Sequence, residues 1–315
     1  MKTPTDLVRY ALTGPTMGTN WAAQFYAPAG TDPAPISKAL AEAVDRVDCQ
    51  MSTWTPQSAL MRLNRARVGE WITVPAELME VLTKALEIGR LSGGSFDIGM
   101  GDVVTAWGFG PQEADAQAMR TALGQARCRA HDVLDLDPGA QRARKLAALV
   151  LDLSGIAKGY AVDQMMAVLK SFGIADALAS IDGELLASGL LPEGKPWTVA
   201  VERPDYEIRA PLSILELSDC AIATSGDYRH WVELGPQRLA HTMDPDRGGP
   251  LVQSPASVTV LAETCMEADA WATALMVQGG SEGAKTARRL NLNVLFIERD
   301  GEQFDQTRIA APLRG

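Results

Sequence analysis

Asp269 and Thr273 stand four residues apart in EADAWATAL, a stretch whose apolar spacing predicts a helix. A carboxylate and a hydroxyl one turn apart lie on one helix face and can both address a hard cation. Mg²⁺ is the natural candidate, because it prefers oxygen ligands and shares them with substrate phosphate. The same two residues would also arise as a first-turn acid favoured by the helix dipole and a threonine bonded to its own turn. A second candidate is LDLSGIAKGYAVD, residues 151–163, where an apolar strand beginning at Leu149 gives way through Ser154 and Gly155 to a helix carrying Lys158. Unpaired N–H groups at such a helix start, with a lysine in the first turn, suit a phosphate or pyrophosphate. Asp152 and Asp163 bracket the stretch and could hold a lysine, a ribose hydroxyl or a metal; a plain strand–helix junction with one surface lysine is the alternative. A third is His241 in LAHTMDPDRGGP, a histidine beside carboxylates on a loop, suited to general-base work or to a structural role.

Several elements must position these groups. TNWAAQFYAP alternates like a strand after a Met-Gly-Thr turn, and residues 35–52 carry Ile36, Leu40, Val44 and Val47 at helical spacing. Ser58 can cap a short helix ending near Asn64, and Pro75 opens a helix that the glycine pair at 93–94 stops. Residues 93–111 read as a glycine-rich loop able to let a planar ligand approach the backbone, and 112–147 as a variable helical and turn segment. Strands follow over 177–189 (interrupted at Asp182-Gly183-Glu184), 197–204 and 210–226, then a hairpin turning at Leu234-Gly235-Pro236. Another strand covers 257–264, a helix covers 266–280, and a closing hairpin turns at Asp300-Gly301.

The 315 residues can bury a large core, and a composition of 46% hydrophobic and 22% charged residues is that of a globular chain. A net charge of −10 argues against sequence-independent nucleic-acid binding, which needs a basic footprint. Any polyanionic ligand must then be met by local positive charge, a helix end or a cation. Cys49, Cys128, Cys220 and Cys265 form no C-x-x-C pair and read as reduced, mostly buried hydrophobes. No apolar run approaches the ~18–20 residues of a membrane span. The opening MKTPTDLVRYALTG lacks an export h-region, so the sequence as written points to the cytoplasm, or to the periplasm if an export signal has been removed. The common nucleotide-loop, nucleophile-elbow and zinc-protease signatures are absent, and three histidines are too few for a multi-histidine metal site.

Taken in order, TMGTNW (16–21), MSTW…SALMRLN (51–64), SGGSFDIGMGDVVTAWGFG (92–110), LDLSGIAKGYAVD (151–163), ATSGDYRHW (223–231), HTMDPDRGGP (241–250) and SVTVLAETCMEADAWATALMVQG (257–279) resemble the FAD:protein FMN transferases, the ApbE-like flavin transferases. The resemblance implies an α+β fold, with two T-fold-like halves of antiparallel sheet and packed helices in one compact unit over 1–315, interrupted by an insertion at 112–147. It implies FAD as donor, Mg²⁺ as cofactor, and transfer of FMN to a threonine hydroxyl of an acceptor flavoprotein with release of AMP. Carried onto this sequence, Met17, Trp54, Ser95, Phe96 and Asp97 line the FAD site. Asp152 and Lys158 lie near the pyrophosphate or its flanking sugar, the main-chain oxygen of Ala157 joins Asp269 and Thr273 at the metal, and His241 sits beside FAD as the base. Lys158, the helix end and Mg²⁺ would supply the positive charge that phosphoryl transfer needs. The chain departs from the family where a common Gly-Gly-Asp is Asp182-Gly183-Glu184, and where Thr242-Met243 replace isoleucine or leucine. Two other functions use the same residues: hydrolysis of FAD to FMN and AMP, and FAD binding without catalysis. The binder is disfavoured because it needs no base.

Overall fold

The computed structural model describes residues 7–229, 231–234, 237–301 and 303–311. The chain opens with β1 (Leu7–Thr16) and β2 (Thr19–Pro28), a hairpin turned by Met17 and Gly18 at φ 46° and 74°. Trp21, Ala23, Phe25 and Ala27 alternate inward along β2. Helix α1 (Ala34–Met51) buries the Ile36, Leu40, Val44, Val47 stripe, and Ser58 caps α2 (Ala59–Arg65) by accepting from the Met61 N–H at 3.0 Å. After β3 (Ile72–Thr73) comes α3 (Ala76–Leu91), as the Pro75 start and glycine stop predict.

The glycine-rich loop that follows is less irregular than expected, because it contains α4 (Gly101–Ala106). The 112–147 segment holds α5 (Ala116–Gly124), α6 (Ala130–Val133), β4 (Leu134–Asp137) and β5 (Arg142–Lys145), with β5 hydrogen-bonded between β3 and β4. The strand expected at 149–153 does not form. That stretch has no regular secondary structure and is mostly buried, and it pairs with no strand among the described residues. The side-chain amide of Asn64 brackets Leu151 instead, donating to its carbonyl at 2.9 Å and accepting from its N–H at 2.7 Å. The Asp152 N–H donates to the Ile98 carbonyl at 2.8 Å. These bonds satisfy the buried backbone as a ladder would.

Helix α7 (Ala157–Ser171) leads to β6 (Ala177–Ile181) and β7 (Glu184–Ser188), a hairpin with Asp182 and Gly183 as its two turn residues. Asp182 has φ 53°, so aspartate takes the left-handed turn position that glycine would otherwise hold. Next come β8 (Trp197–Glu202), β9 (Pro211–Leu217) and β10 (Cys220–Gly226). Then follow β11 (Trp231–Leu234), β12 (Gln237–Ala240), β13 (Met243–Asp244), β14 (Gly249–Pro250) and β15 (Ser257–Ala262). The turn expected at Leu234-Gly235-Pro236 has Gly235 and Pro236 outside the described residues, but its two arms pair. Helix α8 (Cys265–Leu290) outruns its expected end near Gly280. At Gly279 (φ 74°, ψ 173°) the backbone breaks and helix resumes, with Gly280 and Gly283 lying against Glu298 and Phe296. The hairpin β16 (Asn293–Asp300) and β17 (Gln303–Ile309) closes the fold.

The architecture is the expected α+β one. A single antiparallel sheet runs β1-β2-β6-β7-β10-β15-β16-β17, and its two four-stranded halves meet at β7 and β10 through three residue pairs, Leu185↔Ile222 to Ala187↔Cys220. Helices α1, α7 and α8 cover one face, where Trp21, Phe25, Tyr160, Leu275 and Phe296 share the main core. The β8–β9 ladder covers part of the other, seating Trp197 on Ala187 and Ile222, and Val201 on Leu295 and Ile297. Among the cysteines only Cys265 is buried; Cys49 and Cys128 are exposed, a correction to the sequence expectation, and all four are free. No helix is long and apolar enough to cross a membrane, among the described residues.

Candidate functional site

Two glycines bring α7 onto α8. A Cβ on Gly159 would lie 2.3 Å from the Cys265 carbonyl oxygen and 2.9 Å from the Asp269 Cβ. One on Gly155 would lie 3.1 Å from the Thr273 Oγ1 and 3.4 Å from the Phe96 ring. Only hydrogen fits at Gly159 and a side chain would be tight at Gly155, and so the start of α7, with Ala157 in it, presses on the α8 face that carries Asp269 and Thr273. The Gly159 N–H donates to the Asp269 Oδ2 at 3.0 Å, so this carboxylate caps the neighbouring helix.

The charge balance at this corner differs from the one the sequence suggests. The Lys158 ammonium contacts the Glu184 Oε1 at 2.9 Å and the Asp182 Oδ2 at 3.7 Å, with Asp269 close enough to perturb it as well. Burial acts to lower the Lys158 pKa, but these carboxylates more than offset it and hold the ammonium protonated. One cation is outnumbered by acids. Burial, then the charge of Glu184, lifts Asp269 to about 8 against the opposing pull of Lys158 and the Gly159 N–H. Burial lifts Glu184 also, and its Oε2 is buried without a hydrogen-bond partner. An acid-rich corner with an orphaned carboxylate oxygen fits a divalent cation, and the Ala157 carbonyl, Asp269 and the Thr273 hydroxyl are hard oxygen donors of the right kind. Carboxylates alone do not make the site: no three His, Cys, Asp or Glu side chains converge on a metal position among the described residues. The Thr273 Oγ1 also lies 3.3 Å from the Ser225 Oγ.

This corner opens on a cleft of about 1350 Å³ that also receives Met17, Trp54, Ser95, Phe96, Asp97, Asp152, Lys158 and His241. Every residue that the family resemblance assigns to the site thus lies on one cleft, in different settings, whereas Asp163 does not. Met17 is at the β1–β2 turn; Trp54 is 64% exposed on the rim, where a planar ligand could cover it. Phe96 is buried. Asp97 is turned inward: its Oδ1 accepts from the N–H groups of Gly99 (2.8 Å) and Ala130 (3.1 Å), and burial raises its pKa against those bonds and Arg129. Asp152 accepts from the Ser154 N–H at 2.9 Å and from the Ser154 hydroxyl. Asp163, read as a possible ligand-holding acid, is an α8 cap instead. Its two oxygens accept the N–H groups of Cys265 (2.7 Å) and Met266 (2.9 Å).

His241 follows β12, its ring centroid 6.3 Å from that of Phe109. Its loop is braced from within: the Asp244 Oδ1 accepts from the Asp246 N–H at 2.8 Å and the Arg247 N–H at 3.2 Å. It is also braced by the 112–147 segment. A Cβ on Gly248 would sit 2.3 Å from the Ala122 carbonyl oxygen, and Arg129 reaches both Asp246 and Asp97. Met243 packs with Met100, Val103, Trp107 and Ala122. Sequence reasoning missed Phe109, Ser225 and Asn64. No spacing rule marks them, although all three lie within motifs that the family resemblance used.

The ApbE family profile matches residues 17–296. The FAD:protein FMN transferase of Klebsiella pneumoniae is 35% identical over 301 residues, covering 93% of this chain and 85% of that one. Among solved structures, the flavin transferase ApbE from Vibrio cholerae superposes with a TM-score of 0.85 at 32% identity, over 97% of this chain and 98% of that one. The Pseudomonas stutzeri flavinyl transferase ApbE, in its apo form, gives 0.85 and 32% over 97% and 96%.

Proposed function

The chain belongs to the ApbE family, and from that premise we propose how its cleft carries out the transfer of FMN from FAD to an acceptor flavoprotein. The enzyme is a transferase. The observation that carries the residue-level reading is the convergence of His241, the Asp269–Thr273 face and the Phe96 loop on one cleft. FAD lies with its flavin toward Met17, Trp54 and Phe96 and its pyrophosphate toward Asp152 and the start of α7. Ala157, Asp269 and Thr273 would hold Mg²⁺, which when bound neutralises charge on the phosphates. Lys158, fixed by Glu184, keeps one positive charge at the corner and limits the repulsion between its acids and the incoming phosphates.

His241 accepts the proton of an acceptor threonine hydroxyl. The hydroxyl oxygen bonds to the phosphorus of the FMN half, the bridging P–O bond breaks, and AMP leaves with the electron pair. The proton on His241 then returns to solvent or to the leaving phosphate. Positioning and electrostatics supply most of the rate, and a base of this kind adds about 10²–10⁴-fold.

Incubation of FAD and Mg²⁺ with the enzyme, with and without an apo-flavoprotein acceptor, tests this by mass spectrometry. Modified threonine and an equal amount of AMP are expected; AMP without modified acceptor would mean hydrolysis instead. The metal assignment is tested separately by calorimetry with Mg²⁺ alone. Asp269→Ala should abolish binding and Thr273→Ala weaken it, and wild-type affinity in Asp269→Ala would remove Asp269 from the ligand set.

A further inference from the structure

A transferase acting on proteins must admit a polypeptide as its second substrate, and the inference here rests on that reading. The cleft does not end at Asp269 and Thr273. It continues past Thr224, Ser225 and Gly226 of β10 to β8, where Val199, Ala200, Val201 and Glu202 all line it. Successive strand residues point to opposite faces, so a cleft lying on a face would meet alternate residues. Four in succession fit a cleft that runs along the edge of the strand. Strand β8 is paired with β9 alone among the described residues, and no residue of β9 lines the cleft. The edge facing the cleft is therefore the unpaired one.

That edge is held rigidly and left open. Trp197 and Val201 are 4% and 3% exposed, seated on the large sheet. Sheet edges are ordinarily blunted by lysine, proline or a bulge. Strand β8 itself contains neither lysine nor proline; Lys195 and Pro196 come just before it, and the one register irregularity is at Val201/Glu202, where the strand ends. Tyr206, Tyr228, Arg229 and Trp231 surround the same end of the cleft, the residue types enriched where proteins are recognised.

We propose that the acceptor protein docks by adding an extended segment to the free edge of β8, which leads its hydroxyl along the cleft to His241 and the Asp269–Thr273 corner. Main-chain bonds to β8 would supply affinity with little dependence on sequence. About four residues at ~3.3 Å each would span the edge.

Hydrogen exchange tests the proposal on the wild-type enzyme. The probe is an apo-flavoprotein whose mature form carries FMN on threonine, with that threonine changed to valine so that no product forms. The amides among residues 198–202 that face the free edge should exchange at least about tenfold more slowly with the probe present. Protection confined to other segments, or none on β8, would overturn the docking site. Kinetics give a second readout with the unaltered acceptor. Adjacent strand residues direct their N–H groups to opposite edges, so one of Val199→Pro and Ala200→Pro removes an outward donor while sparing the β9 ladder. That variant should raise the acceptor KM about tenfold with FAD affinity unchanged, the loss expected for one main-chain hydrogen bond. Wild-type acceptor KM in both variants would overturn the docking site. Wild-type enzyme that cleaves FAD but leaves the acceptor unmodified would overturn the transferase reading; modified acceptor with β8 unprotected would overturn the docking site alone.

Discussion

His241 takes its place on the cleft from a loop that other residues also brace: Asp244 bonds the backbone, Gly248 packs against the Ala122 carbonyl of α5, and Phe109 lies beside the ring. The Asp244 and Gly248 braces do not involve the imidazole. His241→Ala is expected to bind FAD with nearly wild-type affinity and to melt at the wild-type temperature, while transfer falls about 10²–10⁴-fold. Activity falling only in step with the folded fraction would instead mark a structural histidine. A pH–rate profile adds an independent check, since the variant should lose the limb that rises with deprotonation of a histidine.

The crossing of α7 and α8 sets the geometry at the scale of elements. Gly159→Ala forces a methyl group to 2.3 Å from the Cys265 carbonyl oxygen, part of a rigid helix start rather than a flexible side-chain end. The helices must separate, at a stability loss of about 1–3 kcal/mol or somewhat more, and Asp269 moves with them. Urea denaturation and Mg²⁺ calorimetry should both register the change; a variant as stable and as metal-competent as wild type would mean that the crossing is loose. Asp163 ties the same helices together, and burial holds its pKa at about 6 although it accepts two N–H bonds. Its folded pKa lies above the unfolded value, so the folded state binds more protons in between and stability falls as pH rises. This contribution is complete below about pH 4 and is lost as pH passes through about 6, a change of about 3 kcal/mol. Asp163→Asn keeps one acceptor oxygen and cannot titrate. Its stability deficit relative to wild type should shrink between pH 4 and pH 7 in denaturation curves, and a constant deficit would show that Asp163 does not titrate there.

On the scale of the whole molecule, the cleft draws on both halves of the sheet. Met17, Lys158 and Glu184 come from the first, Ser225, Asp269 and Thr273 from the second, and only three residue pairs between β7 and β10 join the halves within the sheet. A ligand long enough to touch both should stabilise their union in proportion to its affinity for the folded state. FAD is expected to raise the melting temperature more than FMN at equal concentration, because on the proposed reading its adenylate half would add contacts that FMN lacks. Equal shifts in a thermal melt would mean that the flavin end alone is recognised.

Local rules made much of this protein legible in its sequence. The α1 stripe, the Ser58 cap, the Pro75 start, the β1–β2 turn and the i, i+4 pair on α8 each depend on residues a few positions apart, and periodicity and turn chemistry report such short-range constraints. The order of the seven motifs pointed to the family, and all the site residues carried over from it lie on one cleft. What only the tertiary structure decided were the long-range pairings. Residues 149–153 have the composition of a strand but find the Asn64 amide where a neighbouring strand would be. Asp163 resembles a ligand until Cys265 and Met266 present it with two N–H groups. Lys158 looks like a free charge for a phosphate until Glu184 and Asp182 close on it. In each case the deciding partner lies from 24 to 103 residues away along the chain. A buried polar group bonds to whatever folding brings within about 3 Å, and sequence spacing does not encode that distance.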